Sequence, residues 1–227
     1  YRFWHEEPEL RSRMEETEHR CKTNANFVLT ALGEAPLDTM AELFQLNERV
    51  ICERPDFDVY GQRTDVTYVG PINDESLGNP PSWPAHAGPK IFAYLKVSFP
   101  HIDKLLSILS KLDASTLAYV PSLSNSLQNK YRSDALHISE EPLQLKTVAE
   151  QCDYALCHGG TGTVNTFVES GIPGFALPLF VEQMMFSKRV EAAGLGCVFP
   201  LQGEASYLYL QCCTFSLVSF CAFVRYY

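Results

Sequence analysis

The sequence predicts an α/β fold in which a parallel, doubly wound sheet occupies residues 90–203. Short and nearly continuous apolar runs alternate there with amphipathic segments of helical length. Such alternation is typical of a parallel sheet whose two faces are both covered by helices. A second observation marks where this domain begins. Residues 71–89 are rich in Pro and Gly and have no periodicity, so we interpret them as an interdomain linker.

The individual elements follow from the same alternation. Apolar and β-branched runs predict strands at residues 91–97, 117–120, 136–139, 154–157 and 175–179. Helical spacing of apolar side chains predicts helices at residues 102–112, 143–152, 164–170 and 182–193.

The two ends of the chain differ from this central pattern. Residues 1–70 combine a charged helix that ends near Gly33, a short helix at 37–46, and strands at 50–52 and 66–69. Residues 204–227 lack the alternation and are uncharged from Ala205 to Val224. An uncharged run of about 20 residues has the length of a membrane span. Gln211 and several hydroxyl side chains dilute it, however, so we interpret it as an atypical apolar tail and expect no membrane partner.

Charge and cysteine usage exclude several classes of function. The net charge is −9, which disfavours nucleic acid as a partner because an acidic surface repels phosphate backbones. The eight cysteines form no C-x-x-C pair, so no zinc or other metal site is expected. We interpret them as reduced thiols of a cytoplasmic protein.

A glycine-rich turn follows the predicted strand at 154–157. It reads Cys-His-Gly-Gly-Thr-Gly-Thr over residues 157–163 and leads directly into a helix. Free backbone N–H groups and the positive end of that helix favour a diphosphate, and His158, Thr161 and Thr163 add side-chain donors. The glycines alone also allow a structural interpretation, in which they let the helix pack closely on the strand. No Lys follows the last Gly and the G-x-G-x-x-G spacing is absent, which excludes the P-loop and the dinucleotide fingerprint.

Residues further along make the motif more specific. Gly-Ile-Pro at 171–173 ends the helix, Pro178 closes the next strand, and Glu-Gln at 182–183 opens the following helix. The string HGG-x-GT … G-x-P … P-x-x-x-EQ resembles the donor signature of nucleotide-sugar-dependent glycosyltransferases that modify macrolides, flavonoids and other small molecules. The resemblance to these UDP-glycosyltransferase-like enzymes covers roughly residues 11–200 and is most specific from Cys157 to Gln183.

This resemblance implies the two-domain GT-B fold, with two Rossmann-like domains. Residues 90–203 would be the C-terminal, donor-binding domain, and residues 1–70 the remnant of an N-terminal, acceptor-binding domain that is truncated here. The family's catalytic base is a His near the start of that N-terminal domain, so no catalytic residue is assigned. We interpret the remaining histidines as surface or structural residues: His5, His19, His86, His101 and His137.

The resemblance also implies roles for individual residues. His158 would contact the donor diphosphate, and Gly159, Gly160, Thr161, Gly162 and Thr163 would line it. Glu182 and Gln183 would bind sugar hydroxyls, although they could equally complement the dipole of their helix. Thr166 stands where the family usually has a Glu that grips the ribose. Glu169, about one helical turn further on, could replace that Glu.

The activity implied by the resemblance is an inverting, metal-independent transfer of a hexose. The donor would be a nucleoside-diphosphate sugar acting as co-substrate, with no other cofactor, and the acceptor a hydroxyl of a small molecule. Three alternatives stay open: a sugar-nucleotide epimerase, a non-catalytic nucleotide-sugar-binding module, and an inactive fragment of such an enzyme. The truncated chain is expected to be inactive alone. We also expect it to self-associate through an apolar surface at Phe3, Phe27, Leu43 and Phe44.

Overall fold

The computed structural model describes residues 8–45, 48–73 and 77–199, which fall into two compact units, Tyr1–Gly70 and Pro71–Tyr227. Phe3 and the apolar tail at 204–227 lie outside the described residues. The first unit contains helix α1 (Pro8–Ala31), two 3-10 helices (Met40–Phe44 and Pro55–Phe57) and a pair of short parallel strands, β1 (Val50–Ile51) and β2 (Thr67–Tyr68). On this unit the side chains of Phe27 and Phe44 are 77% and 67% exposed. Self-association through them stays a prediction.

The second unit alternates strands and helices along the chain. Its strands are β3 (Lys90–Tyr94), β4 (Ser115–Tyr119), β5 (Leu136–Ser139), β6 (Tyr154–Cys157), β7 (Gly174–Ala176) and β8 (Gly196–Val198). Its helices are α2 (Ile102–Leu109), α3 (Asn125–Tyr131), α4 (Leu145–Gln151), α5 (Thr161–Glu169) and α6 (Val181–Ala192).

The six strands of the second unit form one sheet in the order β5-β4-β3-β6-β7-β8, and every neighbouring pair is parallel. The predicted α/β class with a doubly wound parallel sheet is therefore confirmed. The strand order reverses between β3 and β6. Ligands of open α/β sheets bind at such a reversal, outside the carboxyl ends of the strands. The carboxyl ends of β3 and β6 are Tyr94 and Cys157, which are also register partners.

The sheet is covered on both faces because side chains alternate along each strand. On one face Ala93 and Ala118 pack with leucines of α2. On the other face Phe92 and Leu117 pack with Val148 of α4 and with α5. All four strand residues are fully buried, so β3 and β4 form the centre of the core.

Residues 79–84 are attached to the second unit although their composition is that of a linker. The backbone of Asn79 donates to the Pro142 carbonyl at 2.8 Å and accepts from the Gln144 amide at 2.9 Å. The indole Nε1 of Trp83 donates to Gln151 Oε1 at 2.8 Å. Irregular backbone is thus held in place here by specific hydrogen bonds.

The structure also contains elements that the periodicity does not indicate. Helix α3 is short and rich in Ser and Asn, and it begins after Ser124, whose Oγ accepts from the Leu127 amide at 3.4 Å. Strand β8 has three residues. Helix α5 begins at Thr161 rather than at residue 164, and the helix predicted at 37–46 is a 3-10 helix over Met40–Phe44.

Candidate functional site

The glycine-rich turn lies at the carboxyl end of β6, where the strand order reverses. Strand β6 ends at Cys157, His158 and Gly159 form the turn, and Gly160 is the N-cap of α5. No side chain caps this helix, so its first N–H groups lack an intrahelical partner. The turn therefore presents free donors and the positive end of a helix at the edge where ligands of this fold bind.

Gly159 is required by the conformation of the turn. Its φ is +82°, in the left-handed region that residues with a side chain rarely adopt. A Cβ added at this position would lie 2.6 Å from the hydroxyl oxygen of Ser187 on α6. Gly159 thus allows α6 to approach the turn closely, which is a contact of the turn with α6 and not the packing of α5 on β6.

His158 is 8% exposed and lies between the backbone of α5 and strand β3. Its ring meets the ring of Tyr94 edge to face, with centroids 5.0 Å apart and an interplanar angle of 88°. A Cβ added to Gly160 would lie 3.1 Å from His158 Nε2, so the imidazole covers the N-cap residue. The buried Nδ1 has no hydrogen-bond partner of good geometry among the described residues.

The surroundings of His158 favour the neutral imidazole. Burial is the largest cause of its lowered pKa, the positive charge of Lys96 is the second, and a backbone contact with Tyr94 acts in the opposite direction. Next to it, burial raises the pKa of the Cys157 thiol to about 11. Cys157 is therefore protonated at neutral pH and is not an activated nucleophile. His158 can donate one N–H to a ligand while carrying no charge.

The predicted donor-binding residues at 160–163 form the first turn of α5 and its N-cap. Thr161 is exposed and Thr163 is buried. A Cβ on Gly162 would lie 3.2 Å from Asn73 Oδ1, so a side chain there would press against residue 73. The structure thus brings His158 and the whole Gly159–Thr163 run together at one helix end.

An open cleft of about 320 Å³ lies beside this helix end. Its polar side chains include Tyr94 and Tyr119 at the ends of β3 and β4, Lys146 on α4 and Glu169 on α5. Phe92 and Leu143 supply apolar surface. A cleft of mixed aromatic and polar lining next to an uncapped helix N-terminus has the chemistry to hold an aromatic ring, hydroxyl groups and a phosphate together.

Thr166 and Glu169 both line this cleft, one helical turn apart. The Thr166 hydroxyl donates to the Gly162 carbonyl at 2.9 Å, and the side chain is 7% exposed. Glu169 is exposed and has no ion pair within the part of the chain that the structure describes. Of the two, Glu169 has the freer group for a ligand hydroxyl.

Glu182 and Gln183 lie in the first turn of α6 and differ in exposure. Glu182 is exposed, as both of its predicted roles require. Gln183 is 9% exposed, and its Oε1 accepts a hydrogen bond from the Leu179 amide at 2.9 Å. That bond connects the first turn of α6 to the chain just before the helix, so the Gln183 carbonyl oxygen already has a structural partner.

The structure adds residues that the sequence motif does not indicate. Tyr94 and Tyr119 are brought to the site by strand order and register, Lys96 by the loop after β3, and Lys146 by helix α4. The sequence carries no direct signal for the two tyrosines, because they end the observed strands β3 and β4 but lie inside the strands predicted at residues 91–97 and 117–120. Across the described ranges, no group of three His, Cys, Asp or Glu residues could hold a metal ion, and no helix is long and apolar enough to cross a bilayer.

Comparison with solved structures identifies the class of fold. The glycotransferase of kitacinnamycin matches with a TM-score of 0.62 at 18% identity, covering 96% of this chain and 63% of that one. The spinosyn rhamnosyltransferase SpnG matches with a TM-score of 0.60 at 19% identity, covering 81% and 52%. SpnG has also been solved with thymidine diphosphate and with spinosyn aglycone. The chain has the fold of the GT-B glycosyltransferases and spans less than two thirds of these neighbours.

Curated sequences add a more particular similarity. A segment of 57 residues is 47% identical to a sterol 3-beta-glucosyltransferase of Gibberella zeae, and one of the same length is 39% identical to that of Glomerella lagenarium. Each match covers 25% of this chain and 4% of the fungal protein. No protein-family profile matches the chain.

Proposed function

We propose that the protein is a glycosyltransferase that transfers a hexose from a nucleoside-diphosphate sugar to a hydroxyl of a small-molecule acceptor. Residues 90–203 form its donor-binding domain in this proposal. The observation that carries it is the position of His158, a neutral imidazole over the uncapped N-terminus of α5 at the strand-order reversal. The similarity to sterol glucosyltransferases and to SpnG, which binds thymidine diphosphate, supports the same reaction class.

The donor diphosphate would be bound without a basic cluster. In this proposal the first N–H groups of α5, the hydroxyls of Thr161 and Thr163 and the His158 N–H donate to the diphosphate at the end of β6. A neutral donor and a helix dipole suit this acidic protein, because neither adds a permanent positive charge. The nucleoside would extend into the cleft that Tyr94 and Glu169 line.

The proposed reaction is an inverting displacement that needs no metal ion. A base from the acceptor-binding domain removes the acceptor proton, the acceptor oxygen attacks the anomeric carbon, and the nucleoside diphosphate leaves. Negative charge grows on the leaving oxygen as the bond breaks. The α5 N-terminus and His158 lie where they would stabilise that charge. Glu182, exposed in the first turn of α6, would accept hydrogen bonds from the sugar hydroxyls.

Two finer assignments complete the proposal. Glu169 takes the ribose contact that the family's Glu makes at the position of Thr166, because the Thr166 hydroxyl is already bonded to Gly162. The protein is cytoplasmic, which fits the free thiols of Cys21, Cys52, Cys152, Cys157 and Cys197.

Calorimetric titration with UDP, dTDP and GDP tests the donor site. One of the three should bind, and His158→Ala should weaken that binding by about 1–3 kcal/mol, as expected when a hydrogen bond to a charged group is lost. Lys104→Ala, an exposed change on α2, is the matched control and should leave the affinity unchanged. Absence of binding by a folded sample would contradict the proposal.

One observation favours a second candidate, a nucleotide-sugar-binding module without transferase activity. The commitment of Thr166 to the helix backbone leaves the ribose with fewer contacts than the family provides. Binding of the donor, combined with no transfer to any of a panel of sterol, macrolide and flavonoid acceptors, would favour this candidate.

A further inference from the structure

We propose that Tyr94 is a positioning residue, whose ring holds the His158 imidazole over the N-terminus of α5, with Tyr119 supporting Tyr94 from the next strand. This inference rests on the proposed function, since it assigns His158 a task at the donor diphosphate. The three residues are called the aromatic row below. They lie at the carboxyl ends of three neighbouring strands, because Tyr119 is the register partner of Tyr94 and Tyr94 that of Cys157.

Ring contacts are continuous along the aromatic row. The centroids of Tyr119 and Tyr94 are 5.2 Å apart with an interplanar angle of 39°, and those of Tyr94 and His158 are 5.0 Å apart at 88°. Edge-to-face contact at this distance is a favoured arrangement of aromatic rings. A displacement of the Tyr94 ring would therefore change the position of the His158 imidazole.

Ring packing orients His158 together with a backbone interaction with Tyr94. A functional imidazole is generally fixed by a bond from its second nitrogen to a carbonyl or carboxylate. The buried Nδ1 of His158 has no such partner of good geometry among the described residues. Besides the backbone interaction with Tyr94, the ring is confined by the Tyr94 side chain on one side and by the backbone of Gly160, where an added Cβ would lie 3.1 Å from Nε2.

The same ring contact helps to keep the imidazole neutral. Burial is the largest cause of the lowered pKa of His158, and the Tyr94 ring supplies part of that burial. The other titratable groups near the ring are Lys96, which follows β3, and Cys157 on β6, while the first turn of α5 contributes no acidic side chain. Removing the Tyr94 ring should therefore raise the pKa of His158 toward its ordinary value.

The experiment combines an NMR titration with nucleotide binding in the full chain. The His158 Cε1–H signal, assigned by its loss in His158→Gln, is followed against pH in the wild type, Tyr94→Phe and Tyr94→Leu. Tyr94→Leu should raise the pKa of His158 and weaken UDP or dTDP binding by about three- to tenfold, the range expected for one aromatic contact. Tyr94→Phe keeps the ring and should restore both quantities.

Tyr154→Leu is the matched control, because Tyr154 is a buried tyrosine at the opposite end of the central strands. It should lower the stability without moving the pKa of His158. An unchanged His158 pKa and unchanged nucleotide affinity in Tyr94→Leu would overturn the proposal. Changes of the same size in Tyr94→Phe would overturn the proposal too. They would mean that the Tyr94 hydroxyl, and not the ring, is responsible for the His158 pKa and the nucleotide affinity.

Two further outcomes are also decisive. If Tyr94→Leu does not fold, Tyr119→Leu removes the support of Tyr94 without touching His158, and a His158 pKa that stays fixed in that variant contradicts the aromatic row. If none of UDP, dTDP and GDP binds the wild type, the proposed function loses its support. The titration still judges the role of Tyr94 in that case, because it needs no ligand.

Discussion

The hydroxyl of Thr166 donates to the Gly162 carbonyl oxygen at 2.9 Å, one turn earlier in the same helix. This bond ties the side chain to the helix backbone at the position where the glycosyltransferase signature places a ribose-binding carboxylate. Glu169 lines the same cleft and is exposed to solvent. The geometry thus separates two candidates for the ribose contact and makes them testable one at a time.

Replacing Glu169 by Gln should weaken the binding of a ribonucleotide. The carboxylate can accept hydrogen bonds from both ribose hydroxyls, and its loss at an exposed site should cost about 1 kcal/mol, near the lower end for bonds to charged groups. Titration with UDP and with 2′-deoxy-UDP measures the effect. The wild type should prefer UDP, and Glu169→Gln should bind the two equally.

Thr166→Val is the control for this prediction, because it removes a hydroxyl while keeping the shape of the side chain. Its effect on UDP affinity should be smaller than that of Glu169→Gln. A larger effect from Thr166→Val would show that Thr166, and not Glu169, holds the ribose.

Gly159→Ala should destabilise the fold by at least about 1–2 kcal/mol, the cost of a left-handed residue with a side chain. The added Cβ would also lie 2.6 Å from Ser187 Oγ. Ser187→Ala removes that oxygen, so the double variant should recover part of the loss. Urea unfolding of the two single variants and the double variant measures this coupling.

Gly171→Ala separates the cost of the left-handed backbone from the cost of the clash with Ser187. Gly171 also has a positive φ, +71°, but nothing lies within 4 Å of an added Cβ. It should therefore show the backbone cost alone. If Gly159→Ala and Gly171→Ala cost the same and Ser187→Ala gives no recovery, the close approach of α6 to the turn is wrong.

His158 should make the protein less stable as the pH falls. Its pKa in the folded state is below the ordinary value of 6.5, so between these two values the unfolded chain binds a proton that the folded chain does not. The free energy of unfolding should then decrease from about pH 7 downward until the folded pKa is passed. Urea unfolding at several pH values, compared between wild type and His158→Gln, isolates this contribution. Parallel pH profiles for the two proteins would contradict it.

The backbone around Asn79 should be protected from hydrogen exchange. The Asn79 amide donates to Pro142 at 2.8 Å and the Gln144 amide donates to Asn79 at 2.9 Å, so exchange at both positions requires local opening. Their exchange rates should be far below those of free peptide, and Trp83→Phe should speed them by removing the bond to Gln151. Exchange at the rate of an unstructured linker would show that this segment is detached.

The sequence predicts the central strands well and the small elements poorly. Residues 136–139 and 154–157 are strands with the predicted bounds, because the first alternates buried apolar with half-buried polar side chains and the second is continuously apolar. Helix α3 was missed because its stability comes from a Ser124 cap and from burial of Tyr131, neither of which produces a periodic apolar pattern. Strand β8 is only three residues long and is defined as a strand by its pairing with β7, so a local sequence pattern does not indicate it.

The candidate site divides in the same way. The glycine-rich turn is contiguous in sequence, so His158 and the residues after it could be found from spacing alone. Tyr94 and Tyr119 reach His158 through the register of three strands, which no local pattern encodes. The hydrogen bond between Gln183 and the Leu179 amide likewise depends on the path of the chain just before α6, which the sequence pattern does not show.

If His158 binds the donor as proposed, the aromatic row also links nucleotide binding to the order in which the sheet folds. Its members come from strands that are distant in sequence, as the bond from the Lys90 amide to Asp153 across 63 residues illustrates. Contacts of such long range form slowly, because the entropy of closing a large loop is lost before the contacts contribute any stabilisation. Because side chains alternate between the two faces, a one-residue slip between β3 and β6 would turn Tyr94 away from His158. Recovery of nucleotide affinity during refolding would therefore show when β3 and β6 have paired in the native register.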